Sequence, residues 1–230
     1  MSIQPDFDIF SLGRAAQAKA RTLFDGRACL TSTRRLNVDG TWFGPPRATC
    51  SLADEDAISA RGGLASVREA GANAILCNLE STVALQAVAA GLRCLVRVPF
   101  AAGEAADERR GRVAELADFL GHFPGVDGIV PVPLGEVQGL DTLAFFALCR
   151  QEAEKKHVIA DFERFGHKLG QLCLSFGADE ILGSIVGQRA LRLGERASSN
   201  EITRDEAVLL VRAAGFVPCE RLPDGGISEL

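Results

Sequence analysis

Two hydrophobic rhythms alternate along the chain: apolar residues recurring every third or fourth position, and short runs apolar on consecutive positions. The first rhythm opens the sequence, where Ile9, Leu12, Ala16, Ala20 and Leu23 fall on one face and predict a helix over 6–23, placed as a lid under whatever follows. The second reads ACLTSTRRLN (28–37), ANAILCN (72–78), RCLVRVPF (93–100), GVDGIVPVPL (125–134), HVIADFE (157–163) and EILGSIV (180–186), six predicted strands. Helical patterns near 54–70, 81–90, 107–120, 140–154 and 162–176 lie between them, each long enough for a right-handed crossover. Strands apolar on consecutive positions are buried on both faces, as in a barrel or a doubly wound sheet. The expected fold is therefore α/β, a shortened (β/α)6-type partial TIM barrel of parallel strands with helices outside. A flat doubly wound sheet is the second choice. Helices near 187–196 and 203–214 make a C-terminal helical extension, 187–230, in which Thr203 and Glu206 stand as a capping box.

Composition narrows the function classes. At 230 residues and 47% hydrophobic content, with mean hydropathy +0.12, a single domain over 1–230 with a large core is expected. The net charge of -5 gives no basic stripe, so nucleic acid is not an expected partner. No stretch approaches the roughly 18 apolar residues of a membrane helix, and the acidic start lacks a basic leader region. A cytoplasmic protein with no membrane association is expected. The seven cysteines are far apart and set in apolar segments, without C-x-x-C spacing, which reads as buried reduced thiols and no metal site. The glycines of ARGG, GEVQG and GSIVG fit no dinucleotide or phosphate-loop fingerprint and read as turns.

The segment HVIADFERFGHKLGQLCLSFGADEILGSIV (157–186), followed by EITRDEAVLLVRAAGFVPCER (201–221), resembles the C-terminal end of the radical-SAM barrel enzymes of the futalosine route to menaquinone, aminofutalosine synthase and dehypoxanthine futalosine cyclase. SLGRAAQAKARTLFDGRACLTSTRRLN resembles their opening helix and first strand, and Gly139, Leu140 and Asp141 match a helix start. The resemblance implies ligand-binding roles for Arg34 and Asn37, and for Asp179 and Ser184 of the last strand. It also exposes a difference. Those enzymes hold an iron–sulfur cluster on C-x3-C-x2-C, whereas here Trp42, Pro46 and Thr49 fall in the three cysteine slots, with Cys50 alone nearby. Neither the cluster nor S-adenosylmethionine is expected as a cofactor. Trp42 and Phe43, followed by Gly-Pro-Pro, make either a plug for the vacated cavity or an ordinary turn with a core tryptophan.

A barrel works where its strands end. That rule selects Asn78 and Glu80, Glu136, Asp161 and Glu163, and Ser184. Asp161 and Glu163, two apart, point to one side and suit a cation or a shared proton, or else simply cap the next helix. His167, four residues after Glu163, suits a metal ligand or a surface pair. The leading expectation is a radical-SAM-like barrel without its cluster, non-catalytic, binding a small molecule or a partner protein and linked to menaquinone biosynthesis. The alternative is an enzyme with a rebuilt mouth that uses Asp161, Glu163, Glu80 and His167 in metal-assisted or acid–base chemistry. Because an open barrel leaves strand edges unpaired, a homo-oligomer, most simply a dimer, is also expected.

Overall fold

The computed structural model describes residues 8–79, 82–136, 139–187 and 201–230. Helix α1 (Ile9–Leu23), capped by the Asp8 carboxylate, leads into β1 (Arg27–Leu36). There follow β2 (Trp42–Phe43), β3 (Cys50–Asp54), α2 (Glu55–Ala60), α3 (Leu64–Glu69), β4 (Ala74–Asn78) and α4 (Val83–Ala89). Next come β5 (Arg93–Ala101), α5 (Ala106–His122), β6 (Gly128–Leu134), α6 (Gly139–Glu152), β7 (His157–Asp161), α7 (Phe162–Ser175) and β8 (Glu180–Gly183). The chain ends with β9 (Ile185–Val186), β10 (Ile202–Thr203), α8 (Arg204–Ala213), β11 (Val217–Arg221) and β12 (Ile227–Glu229).

Strands β1, β3, β4, β5, β6, β7 and β8 run parallel in that order, and β8 pairs back onto β1 with Cys29 opposite Glu180 and Ser32 opposite Gly183. The barrel is closed, with seven staves. Strand β3, which is not among the six strands expected from sequence, is the seventh: Ser51 breaks the apolar run that marks the others, although the strand is buried along most of its length. Closure also corrects the expected route to a dimer, because the open edges invoked for pairing are joined to each other. The helix expected over 54–70 is divided at Gly62 and Gly63, both at positive φ, where a β-carbon would be strained.

The alternation of side chains sorts the core into two bodies. Leu52, Leu76, Leu95, Val130, Ile159 and Leu182, with Cys50, Ala74 and Val132, fill the lumen, while the opposite faces of the same strands pack under the helices. Helix α6 is apolar nearly all round because it is buried nearly all round, with Phe145 and Phe146 wholly enclosed.

The C-terminal extension is not wholly helical. Helix α8 carries the expected capping box, Thr203 accepting from Glu206 N, but β11 then joins the lower half of β1 in parallel, with Cys29 opposite Cys219. Strand β12 folds back on β11. The helix expected at 187–196 lies almost wholly outside the described residues. No helix among the described residues is long and apolar enough to cross a membrane.

Candidate functional site

Side chains two positions beyond the lumen leucines share their face and rise to the C-terminal mouth. Arg35 on β1, Asn78 on β4, Arg97 on β5, Asp161 on β7 and Ser184 after β8 all stand there, each in step with an enclosed lumen or strand position below it. Arg35 organises one side. Its Nη2 lies 2.7 Å from Asp161 Oδ2, its Nε 3.1 Å from Glu163 Oε2, and Ser184 Oγ donates to Glu163 Oε1 at 2.7 Å. Arg164 Nε adds a contact of 3.2 Å to Asp161. Asp161 also caps α7 by accepting from Glu163 N at 3.1 Å, so the cap and the cluster are one arrangement. Burial raises the Asp161 carboxyl above its ordinary range in spite of Arg35, with Glu163 adding repulsion.

Arg97 is different. It pairs in register with Asn78, yet its guanidinium has no hydrogen-bond or ion-pair partner among the described residues, and its Nε is shut off from solvent. A buried donor without an acceptor is costly and uncommon. Asn78 is held on the rim by Glu55, which accepts from its backbone N at 2.9 Å and its Nδ2 at 2.7 Å.

The structure therefore brings together Asp161, Glu163 and Ser184, and places Asn78 at the same end. Arg34 points the other way, out of the lumen, with Nε donating to Ser51 Oγ at 2.7 Å and its guanidinium 4.4 Å from the Trp42 ring. Arg35, the next residue, faces the mouth instead; strand parity carried that signal, once β1 was placed. Asn37 bonds Thr41 within its own turn. Asp179 lies at the opposite end, beneath the barrel, where Arg150, His157 and Val158 N hold its carboxylate. His167 sits beyond Gly166, whose non-helical backbone (φ 70°) breaks the four-residue spacing to Glu163, and its ring tilts against Phe162. Glu80 lies outside the described residues, and Glu136 is exposed after β6. No group of three His, Cys, Asp or Glu side chains suited to a metal ion occurs among the described residues.

A second polar layer forms the floor. Glu180, wholly buried, accepts from Arg93 Nη1 and Nη2 at 2.8 Å each, Arg221 Nε at 3.0 Å and Thr31 Oγ1 at 2.7 Å. Burial pushes its carboxyl up, but Arg93 and Arg221 override this and hold it far below the usual range. Arg221 Nη2 donates to His157 Nε2 at 2.9 Å, which leaves the Nδ1 proton of His157 for Asp179. Beside this floor is a cavity of about 410 Å³ between the starts of β3, β4 and β5 and the turn after β11.

No protein-family model matches the chain. It is 26% identical over 157 residues to 5-amino-6-(D-ribitylamino)uracil--L-tyrosine 4-hydroxyphenyl transferase 1 of Methanosarcina barkeri, a match covering 60% of this chain and 42% of that protein. The protein of the same name from Methanosarcina acetivorans is 25% identical over 157 residues, with the same coverage. The chain thus spans less than half the length of these curated relatives. Among solved structures, methylornithine synthase (PylB) superposes with a TM-score of 0.61 at 13% identity, covering 91% of this chain and 89% of that one. HydG, a maturase of the [FeFe]-hydrogenase, gives 0.60 at 9% identity, covering 94% and 70%. The chain shares the parallel α/β-barrel fold of these two structures.

The family that the sequence resembles holds an iron–sulfur cluster, and the donor set here does not fit one. Between Leu36 and Cys50 there is no cysteine, and Cys50 itself faces the lumen, its thiol pushed up by burial to about 11. Cys29 and Cys219 lie at the floor, and Cys77, Cys94, Cys149 and Cys173 are buried in the outer core, facing away from the lumen. Three thiolates cannot meet there. Trp42 packs on the outer core and donates from Nε1 to Ala70 O at 3.3 Å, so it makes an ordinary turn and does not plug the lumen.

Proposed function

We propose that this chain is a radical-SAM-type barrel working without a cluster, a non-catalytic protein that binds a small polar molecule at the C-terminal mouth. The observation that carries this reading is Arg97, a cation in register with Asn78 at the mouth whose Nε is buried and unpartnered among the described residues. An anionic or strongly accepting ligand group would complete it. Arg35, by contrast, is already balanced by Asp161 and Glu163, and Ser184 donates to Glu163.

For ligand class, the relatives' name supplies a ribityl-substituted uracil and the sequence resemblance supplies futalosine-type compounds. Both are polar rings carrying a sugar or sugar alcohol. We therefore place the ligand in that class and keep a link to menaquinone precursors as the pathway reading.

Calorimetric titration with 5-amino-6-(D-ribitylamino)uracil and with futalosine tests it. Binding by one of them that falls at least tenfold in Arg97→Met, with melting temperature unchanged, is expected. No binding by either, or stoichiometric iron and sulfide after anaerobic reconstitution, would overturn it. A second reading, an acid–base enzyme, draws on the raised Asp161 carboxyl. Turnover of a bound compound that disappears in Asp161→Asn while binding persists would favour that reading.

A further inference from the structure

The cysteines of this chain are not equivalent, and two of them meet across neighbouring strands. Cys29 on β1 and Cys219 on β11 are direct partners in a parallel register, and their sulfurs lie 2.8 Å apart. Adjacent strands are about 4.8 Å apart, within the Cα separation of roughly 4.4–6.8 Å that a disulfide spans. The other close pair fails this test. Cys77 is paired with Val96 and Cys94 with Ile75, so those two thiols meet diagonally, at 3.8 Å.

The surroundings divide the labour within the Cys29–Cys219 pair. The hydrogen bond with Cys29 lowers the Cys219 thiol most and Arg221 and Arg27 add to this, while burial and the Glu180 charge oppose it. Its partner moves the other way: the hydrogen bond to Cys219, and then burial, raise Cys29. Arg221 Nη2 lies 3.8 Å from Cys29 Sγ, and Arg221 also lines the floor cavity of about 410 Å³. A molecule the size of hydrogen peroxide thereby has room beside Arg221, which touches Cys29, although neither cysteine of the pair lines the cavity itself.

We propose that Cys29 and Cys219 are a peroxide-sensitive pair that forms a reversible disulfide, stapling the C-terminal strand β11 to the first barrel strand. In the first step the Cys219 thiolate attacks one peroxide oxygen; the O–O bond breaks, sulfur becomes a sulfenic acid, and the departing hydroxide takes a proton to leave as water. In the second, the Cys29 sulfur attacks that sulfenic sulfur, its proton goes to the leaving hydroxyl, and a second water departs. Two thiols are oxidised by two electrons and one peroxide is reduced to two waters. A dithiol reductant reverses the bond. Because Arg221 is two residues from Cys219 and bonds Glu180, the staple would fix the floor network to β1.

The test treats the folded wild-type chain with hydrogen peroxide, denatures it, alkylates with iodoacetamide and maps the peptides. Five of the seven cysteines should remain alkylatable, with a Cys29–Cys219 linked peptide that dithiothreitol removes. Cys29→Ser should instead leave a dimedone-reactive sulfenic acid at Cys219. Seven alkylatable thiols, a link confined to Cys77 and Cys94, or irreversible oxidation of Cys29 or Cys219 without a link would each overturn the proposal. The wild-type measurement does not depend on any variant folding.

Discussion

Replacing Glu180 by glutamine changes almost no volume and removes the one charge on which two buried guanidinium groups converge. Arg93 and Arg221 both touch this carboxylate, Arg93 with two nitrogens at 2.8 Å, and Glu180 is 0% exposed. Removing one member of a buried ion pair costs about 3–5 kcal/mol, chiefly because the remaining charge stays buried. Arg93 keeps Asp127, and Arg221 keeps Gly225 O and His157, so the lower end applies. For a chain of this size about 3 kcal/mol lowers the melting temperature by roughly 6–12 °C. Thermal unfolding followed by circular dichroism at pH 7 measures it, and Glu180→Gln combined with Arg93→Met should recover part of the loss. The pH dependence has a fixed sign: the folded carboxyl lies below its unfolded value of about 4.3. The stabilisation is therefore complete above that value and lost as pH falls through the folded one, so the difference between wild type and variant should narrow only in acid. A drop of less than about 2 °C at pH 7 would refute the claim that this network holds the floor.

Gly170→Ala places a methyl group into the Phe162 ring on α7. Overpacking of about 1–3 kcal/mol outweighs the helix-propensity gain of up to about 1 kcal/mol, so urea unfolding should show net destabilisation. Leu95→Ala opens the lumen and should cost about 2–5 kcal/mol in the same assay, since Leu95 is wholly buried among the lumen residues. Arg35→Met leaves the Asp161 carboxyl buried without its cation. A raised folded pKa makes stability fall as pH rises, so this variant should lose stability relative to wild type between about pH 4 and 7, read from denaturation midpoints. Arg97→Met, with no partner to lose among the described residues, should stay within about 0.5 kcal/mol of wild type.

Local pattern was enough for the fold class. Short apolar runs such as AILCN and RCLVRV, rich in β-branched residues and bounded by helical stretches, read as strands covered on both faces with parallel neighbours. The C-terminal-face rule picked out Asn78, Glu80, Glu136, Asp161, Glu163 and Ser184 as strand-end residues from sequence. It stopped short of their arrangement. Arg34 and Arg35 are indistinguishable until the parity of β1 is fixed, and only the register against β3 and β8 turns Arg35 toward Asp161. Arg97 was passed over for a related reason: an arginine inside an apolar strand carries no sign of whether a carboxylate lies opposite.

What the sequence by itself determined was thus periodicity, the absence of closely spaced cysteines, and which residue types stand at strand ends. All of these are properties of neighbours along the chain. Tertiary structure alone decided closure, because the pairing of β1 with β8 joins segments about 150 residues apart through backbone hydrogen bonds that any side chains allow. It also decided that β11 enters beside β1 and sets Cys219 opposite Cys29. It brought Arg93, Glu180 and Arg221 from three distant segments into one buried network, a juxtaposition that depends on strand register rather than on anything written locally.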